Sequence, residues 1–568
     1  MRIFLKHIQK SVSAWPSSGF PKAIFGVLGI ALFSVSCAKE SVPPDLLRLV
    51  VAQGPEALDT RFTSSAVAQR LGFLVYAPLF LIGDDLAAAP YLAKTLIAVD
   101  ATHTEVELRD DAFFSDGSPL TAKDVVYTYK SLSDDEVGSI HKARFKWLLD
   151  VEEIGPHRVR FTLEKPFAAF PMELCAIGIV QKRSCAQNTP RCRRERVASG
   201  PFQVVNFDVE SEELLLKKNE FFFAKNKWPR QGVQELLVRV VQDDTTRLLE
   251  LLDGKADLLV GDIGPTQLDV IAGKRGKEKG VRVHRKGGLG YSYLAMNLRG
   301  PSTKGENENE NEESPERKRT LEALANPKVR LAIAHALDVD RIIKTKLRDS
   351  AKRASGMLPP SHWAKNPWLK VPNFDPERAR LLLDEAGFAD RGEDAGRRFK
   401  ITLNTTTNRL RRSIALIFAH QMREVGIDVT VRVGEWSTLY ADIKRGNFEM
   451  FSAKWTPVVE PDLFHWVFHS SSIPSAKGAG GNRGAYVNAA VDKLIEEGRA
   501  TQEQSARAAA YAQVEGYLLR DLPYVPLWFE DQISLTSNRI QSYAPMRSGA
   551  LNSIADVVLS SNMSGRKE

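Results

Sequence analysis

"LRDDAFFSDGSPLTAKDVVYTY", residues 108–129, holds a strand end, a turn and a helix start in direct succession. The segment leading into it, "TEVELR" at 104–109, alternates polar and apolar residues with the period of two of a half-buried strand. "SDGSP" then gathers turn formers. Thr121 is placed as a helix N-cap, with Asp124 three residues on in a capping-box arrangement. The helix that follows is expected to bury Val125, Val126 and Tyr129.

Outward from this stretch the same grammar repeats. "LLRLVVA" (46–52), "HRVRFTLEKPF" (157–167, ended by Pro166), "ELLLKKN" (213–219), "ELLVRVV" (235–241) and "SYLAMNL" (292–298) read as strands. "DDTTRLLELLDG" reads as a helix with Leu248, Leu249, Leu251 and Leu252 on its apolar face and Gly254 as its stop. "NPKVRLAIAHALDVDRIIK" and "FDPERARLLLDEAGF" open on Pro327 and Pro376 at the first turn, and Gly387 ends the second. "RFKITLNTTT" and "RRSIALIFAHQMREVGIDVTVRVGEW" give strand, helix and strand. Such units predict α/β lobes with helices packed on a sheet. Residues 305–318, "GENENENEESPERK", have no apolar residue to pack and are expected to be a disordered surface loop.

The 568 residues are too many for one ordinary core and predict two or three lobes. A net charge of +8 raises the question of nucleic acid. Half of that charge sits on Arg2, Lys6, Lys10 and Lys22 of the leader, and the one dense basic patch, "RCRRER" at 191–196, has no interleaved aromatics, so no nucleic-acid partner is expected. "AIFGVLGIALFSV" (23–35) is charge-free but shorter than the roughly 20 residues a spanning helix needs, and suits a signal peptide. It ends in "SVSC", which resembles a lipobox although Ser34 stands where Leu is usual. Cys37 is therefore the expected lipid-attachment site of an exported, membrane-anchored envelope protein. Plain secretory cleavage near Ser36 is the alternative. Cys185 and Cys192 could close a disulfide loop, but with Cys175 as a third cysteine the sequence does not choose the pairing.

A search for chemistry gives no catalytic residue. There is no nucleophile elbow and no Walker loop, and "KGGLG" at 286–290 lacks the following Lys-Ser/Thr of a phosphate cradle. "HWVFH" puts His465 and His469 at i, i+4, a spacing that can hold a metal, but no third ligand is evident. No metal and no cofactor are expected.

The order of several segments resembles the extracellular solute-binding proteins of the peptide/nickel ABC-importer family. The opening stretch carries most of the likeness, with Leu108, Arg109, Phe113, Phe114, Asp116, Gly117, Pro119, Thr121, Ala122, Asp124 and Val125 at the family's positions. "GPEALDT" (54–60), "VASGPFQV" (197–204), "LLDGKADLL" with Gly254 and Asp257, "NPKVRLAIAHALDVDRI" with Val329, Arg330, Ala332 and Ile333, and "DPERARLLLDEAGF" follow in the family's order. The resemblance implies a two-lobed α/β periplasmic-binding-protein fold with a hinge and an additional small α+β subdomain. It implies lobe I at 46–80, 197–290 and 523–560, the small subdomain at 81–196, and lobe III at 291–522. These follow a leader (1–36) and tether (37–45) and precede a tail (561–568).

The function so implied is capture of a peptide or peptide-like solute, by a monomer that hands it to an ABC permease and its ATPase. A sensor or peptide-holding protein on the same fold is the alternative, and a lipoprotein enzyme a remote one. Ligand contacts are expected at Gln53, Tyr291, Tyr293, Asn297, Trp455, Val458 and Glu460. Relatives that bind peptides carry an aspartate for the ligand ammonium at the position of Val458, and Glu460, two residues on, is the substitute to consider. Arg409 stands near the place where relatives that bind dipeptides use an arginine for the ligand carboxylate.

Overall fold

A computed structural model describes residues 42–560 except 64, 186–195, 209–211, 225–228, 230, 262, 301–313, 390–397 and 476–479. The leader, Cys37, Cys192, most of the basic patch, residues 305–313 and the tail lie outside the described residues. From Pro44 onward the chain forms one contact unit.

Its frame is an eleven-stranded sheet. At one end Leu46–Val51 lies between Glu235–Val240 and Leu258–Val260, parallel to both. At the other end Phe399–Thr406 runs parallel to Ile427–Gly434 and to Met450–Trp455. Parallel pairs need crossover connections, and helices such as Asp244–Leu252, Arg409–Glu424 and Trp436–Arg445 supply them. Two long antiparallel strands, Arg282–Met296 and Tyr524–Thr536, join the halves. The first is mostly exposed over Arg282–Gly287 and buried from Gly288 to Met296. The molecule is thus an α/β protein of two lobes connected through these crossing strands.

The crossing strands lose register between Lys286 and Gly290, the place of "KGGLG". A Cβ on Gly288 would lie 2.2 Å from the Glu530 carbonyl oxygen, so the glycine is what lets the two backbones meet there. The run that resembled a poor phosphate loop is part of the hinge.

A separate antiparallel sheet, Ala93–Ala98, His103–Leu108, Arg158–Leu163 and Leu148–Gly155, carries the opening sequence stretch. Gly117 takes the left-handed conformation (φ 80°) that the turn requires, and Asp116 accepts hydrogen bonds from Ser118 N–H (3.0 Å) and hydroxyl (2.6 Å). The helix Ala122–Lys130 starts as expected: the Asp124 carboxylate accepts from the backbone N–H and the hydroxyl of Thr121, at 2.9 and 3.0 Å. Val125 and Tyr129 are fully buried beside Phe145 and Phe161, and Val126 packs at the edge.

Among the cysteines, Cys185 is disulfide-bonded, with its partner outside the described residues, and Cys175 is a buried free thiol. One expectation is corrected outright. Residues 315–318 are not loop: Ser314 caps a helix, Pro315–Ala325, whose first turn holds Pro315 and Glu316.

Candidate functional site

In open α/β sheets ligands bind outside the carboxyl ends of parallel strands. Here those ends face one another across the lobes. Asp243, just past Glu235–Val240, caps the helix Asp244–Leu252, and its carboxyl is held below the usual range first by the Thr246 backbone N–H. Arg409 opens the helix after Phe399–Thr406, and its charge acts on the same carboxylate from the other side. Gln53 is exposed just beyond Leu46–Val51. Elsewhere Ala168 N–H of the small subdomain donates to the Arg499 carbonyl at 2.9 Å, and Arg348 pairs with Asp269 across the lobes at 3.2 Å.

The floor of the lobe III side is aromatic. Tyr293 stacks on Tyr524 (4.3 Å, 5°), on Tyr291 (5.7 Å, 20°) and on Trp455 (6.4 Å, 15°). Tyr291 and Tyr293 are almost inaccessible, and burial pushes both phenols well up. They shape the floor without offering free hydroxyls to solvent. Trp455, half-buried, is the ring left to face outward, and Trp436 is 44% exposed on the helix Trp436–Arg445, stacked on Tyr440.

Arg483 lies over this surface. Its guanidinium is 5.3 Å from the Trp455 ring centre and 4.6 Å from that of Tyr440, and its Nη2 donates to the Tyr440 hydroxyl at 2.9 Å. The loop Gly480–Tyr486 fixes it from several sides. Asn482 donates to the carbonyls of Phe468, His469 and Tyr486 and accepts from the Tyr486 N–H. Gly484 sits where a Cβ would lie 2.5 Å from the Met296 carbonyl, and Gly481 against the Trp466 indole at 2.4 Å. The Arg483 carbonyl accepts from Arg299 at 2.8 Å. Nearby, at the carboxyl end of Phe399–Thr406, the hydroxyls of Thr405 and Thr406 are buried and find no partner among the described residues.

Three of the expected contacts fall outside this surface. Asn297 is 1% exposed and spends its amide on the carbonyls of Gly446 and Phe448 (3.1 and 2.8 Å), so it staples a turn. Val458 is wholly buried in the apolar core of lobe III, with its N–H on the Leu289 carbonyl at 2.8 Å. Glu460 is ion-paired with Arg507, and burial pushes its carboxyl up to about 7. The strand ends at Trp455, and the Leu463 N–H bonds back to the Glu460 carbonyl at 3.2 Å, so the chain turns directly after Glu460. An aspartate-like ammonium anchor is therefore absent from both candidate positions.

The histidine pair gains a third neighbour that the sequence hid. His465 and His469 stack at 4.7 Å, and Glu496 lies 3.4 and 3.5 Å from their Nε2 atoms. Yet His469 Nδ1 accepts from the Ser471 N–H at 3.1 Å, which places the proton on Nε2 and takes away the lone pair a metal needs. Burial pushes the His465 pKa down to about 3, so that ring is neutral, and the trio is two stacked imidazoles against one carboxylate. Burial pushes the Cys175 thiol up to about 12, so it is no nucleophile at neutral pH.

Residues 87–474 match the family described as "Bacterial extracellular solute-binding proteins, family 5 Middle". The chain is 23% identical over 510 residues to the oligopeptide-binding protein AppA of Bacillus subtilis, covering 86% of this chain and 87% of that one. It is 25% identical over 499 residues to the nickel-binding periplasmic protein of Escherichia coli, covering 83% and 87%. The solved structure of NikZ from Campylobacter jejuni in complex with Ni(L-His) superposes with a TM-score of 0.75 at 22% identity, covering 91% of this chain and 100% of that one. With parallel strands at both ends of one mixed sheet, two crossing strands between them and a family match over residues 87–474, the chain belongs to the family 5 bacterial extracellular solute-binding proteins.

Proposed function

We propose that this protein captures a peptide or peptide-like small solute between its lobes and delivers it to an ABC permease. The observation that carries the reading is the crevice itself: opposed carboxyl strand ends, joined by two crossing strands, above an aromatic floor. Hinge closure over a ligand is the motion such a frame allows. Cys37 as a lipid anchor at the cell envelope, a monomeric state and the lobe boundaries read from the sequence complete the proposal.

Native mass spectrometry of protein purified without denaturation tests capture. A bound small molecule lost on unfolding and refolding is expected. A preparation that carries none, and whose melting temperature no peptide or chelate shifts, refutes it. For the anchor, Cys37→Ala is expected to release the protein from the membrane fraction, and unchanged membrane association refutes it.

A further inference from the structure

Eight described arginines are buried: Arg48, Arg61, Arg247, Arg330, Arg398, Arg483, Arg507 and Arg539. Six of them hold a carboxylate, supplied by Asp257 (for Arg48 and Arg539), Asp59, Asp244, Asp384 and Glu460. Arg330 has none but donates to three carbonyls, of Asp521, Leu324 and Ala325, at 2.7–2.8 Å. Arg483 differs from all seven. It is 5% exposed and its one side-chain hydrogen-bond partner among the described residues is the Tyr440 hydroxyl; its Nε, like those of Arg398 and Arg539, is buried with no hydrogen-bond partner among them, but those two also hold a carboxylate. A guanidinium taken out of water without a counter-charge is costly, and the other seven offset that cost with a carboxylate or, in Arg330, with three carbonyls.

The surroundings do not neutralise it. Glu530 is taken by Lys454 (2.7 Å) and Ser292 (3.0 Å), and Asp442 by Arg432 (3.1 Å) and Arg445 (2.7 Å). Arg409 and Arg411, exposed where the helix after Phe399–Thr406 begins, add positive charge to the lobe III side of the crevice.

We infer that Arg483 is the seat of a ligand carboxylate, so that the solute is an organic acid whose carboxylate docks on the guanidinium. The planar fork, within 4.6 Å of the Tyr440 ring centre and 5.3 Å of that of Trp455 and tied to the Tyr440 hydroxyl, leaves Nε as a donor, which suits a carboxylate better than a diffuse charge. Trp455 and Trp436 offer a flat apolar wall to whatever group the carboxylate carries. The inference rests on the capture reading, and it moves the site of acid recognition from Arg409 to a loop elsewhere in the chain.

The test uses refolded, ligand-free full-length protein and one probe in two forms: a pool of N-acetylated tripeptides as free acids and as C-terminal amides. Binding is followed by calorimetry. The free acids are expected to bind about ten- to a hundredfold more tightly than the amides, the worth of one charge-assisted hydrogen-bonded contact. Arg483→Gln is expected to erase that preference, and Arg483→Lys to keep only part of it. A thermal transition matching that of the unmodified protein checks that Arg483→Gln folds, and should it fold poorly Arg483→Lys decides: an undiminished acid preference in that variant overturns the inference. Equal binding of acids and amides by the unmodified protein overturns the inference and leaves solute capture standing. A preference that survives Arg483→Gln overturns it equally. Binding of neither form, with nothing co-purified from the cell, overturns the capture reading and this inference with it.

Discussion

Asp257 supplies the "Gly-x-x-Asp" motif seen in the sequence, and replacing it by asparagine removes a charge from a wholly buried position. The carboxylate accepts from Arg48 at its backbone N–H (3.0 Å), Nε (2.9 Å) and Nη2 (2.9 Å), and from Arg539 Nη1 at 2.8 Å. It thereby ties the first strand of lobe I to the last part of the chain. The amide of Asp257→Asn would keep the volume and one acceptor but no charge. Arg539 retains the carbonyls of Pro44 and Leu46, each at 3.2 Å, whereas both side-chain bonds of Arg48 end on Asp257. The cost is therefore dominated by a stranded Arg48 and comes to about 3–5 kcal/mol, the usual penalty for breaking a buried ion pair from one side. If lobe I melts as a cooperative unit of about 150–250 residues, at roughly 2–4 °C per kcal/mol, Asp257→Asn lowers its transition by about 6–20 °C. Scanning calorimetry reads this directly, with lobe III as an internal reference. A loss below about 2 °C would mean that the arginines are solvated or re-paired and would refute the reasoning. The combination Asp257→Leu with Arg48→Met and Arg539→Met is expected to recover most of the loss, because it removes the charges together.

His362 gives a pH dependence. Its Nδ1 accepts from the Ala364 N–H at 3.1 Å and its Nε2 faces the Val459 carbonyl at 3.3 Å, so burial holds the ring neutral and pushes its pKa down to about 4. Between pH 6.5 and about 4 the unfolded chain binds a proton that the folded chain refuses, so stability is intact above 6.5 and falls as pH drops through that window. The loss is about 2 kcal/mol at pH 5, and His362→Gln is expected to remove that part of the difference between urea midpoints at about pH 7.5 and 5. Gly288→Val puts side-chain atoms against the Glu530 carbonyl, and small-angle scattering with and without the tripeptide pool is expected to show the lobes no longer closing. Asn482→Ala removes four hydrogen bonds beneath Arg483, and is expected to cost about 2–4 kcal/mol in urea unfolding and to weaken free-acid binding more than amide binding.

What the sequence made legible was local. Thr121 with Asp124, and the helix-ending glycines Gly254, Gly387 and Gly426, with φ of 71°, 86° and 87°, act within a few residues of themselves. Their chemistry is readable without the rest of the chain. "KGGLG" was not, because its glycines answer to Glu530, a strand partner far along the chain. The helix start at Ser314 was hidden by its acidic neighbours, although Ser-Pro-Glu is a competent cap. Val458 and Glu460 were misplaced because burial in a core and an ion pair with Arg507 depend on residues far along the chain. Arg483 carried no signal at all. What sets it apart is the lack of a counter-charge in three dimensions, and a string of letters holds no record of who fails to meet whom.

The two crossing strands have a mechanical consequence. Because Arg282–Met296 and Tyr524–Thr536 are hydrogen-bonded to each other on both sides of the break and to the sheets of both lobes, the junction resists sliding and twisting while bending near Gly288. The closure proposed above would then follow nearly one angular coordinate. A solute that shuts the crevice gives up few collective modes of the protein, so little of its contact energy is lost to ordering the lobes. The same coordinate reports occupancy at the outer rim, far from the ligand, where a membrane partner can read it as an angle without touching the solute.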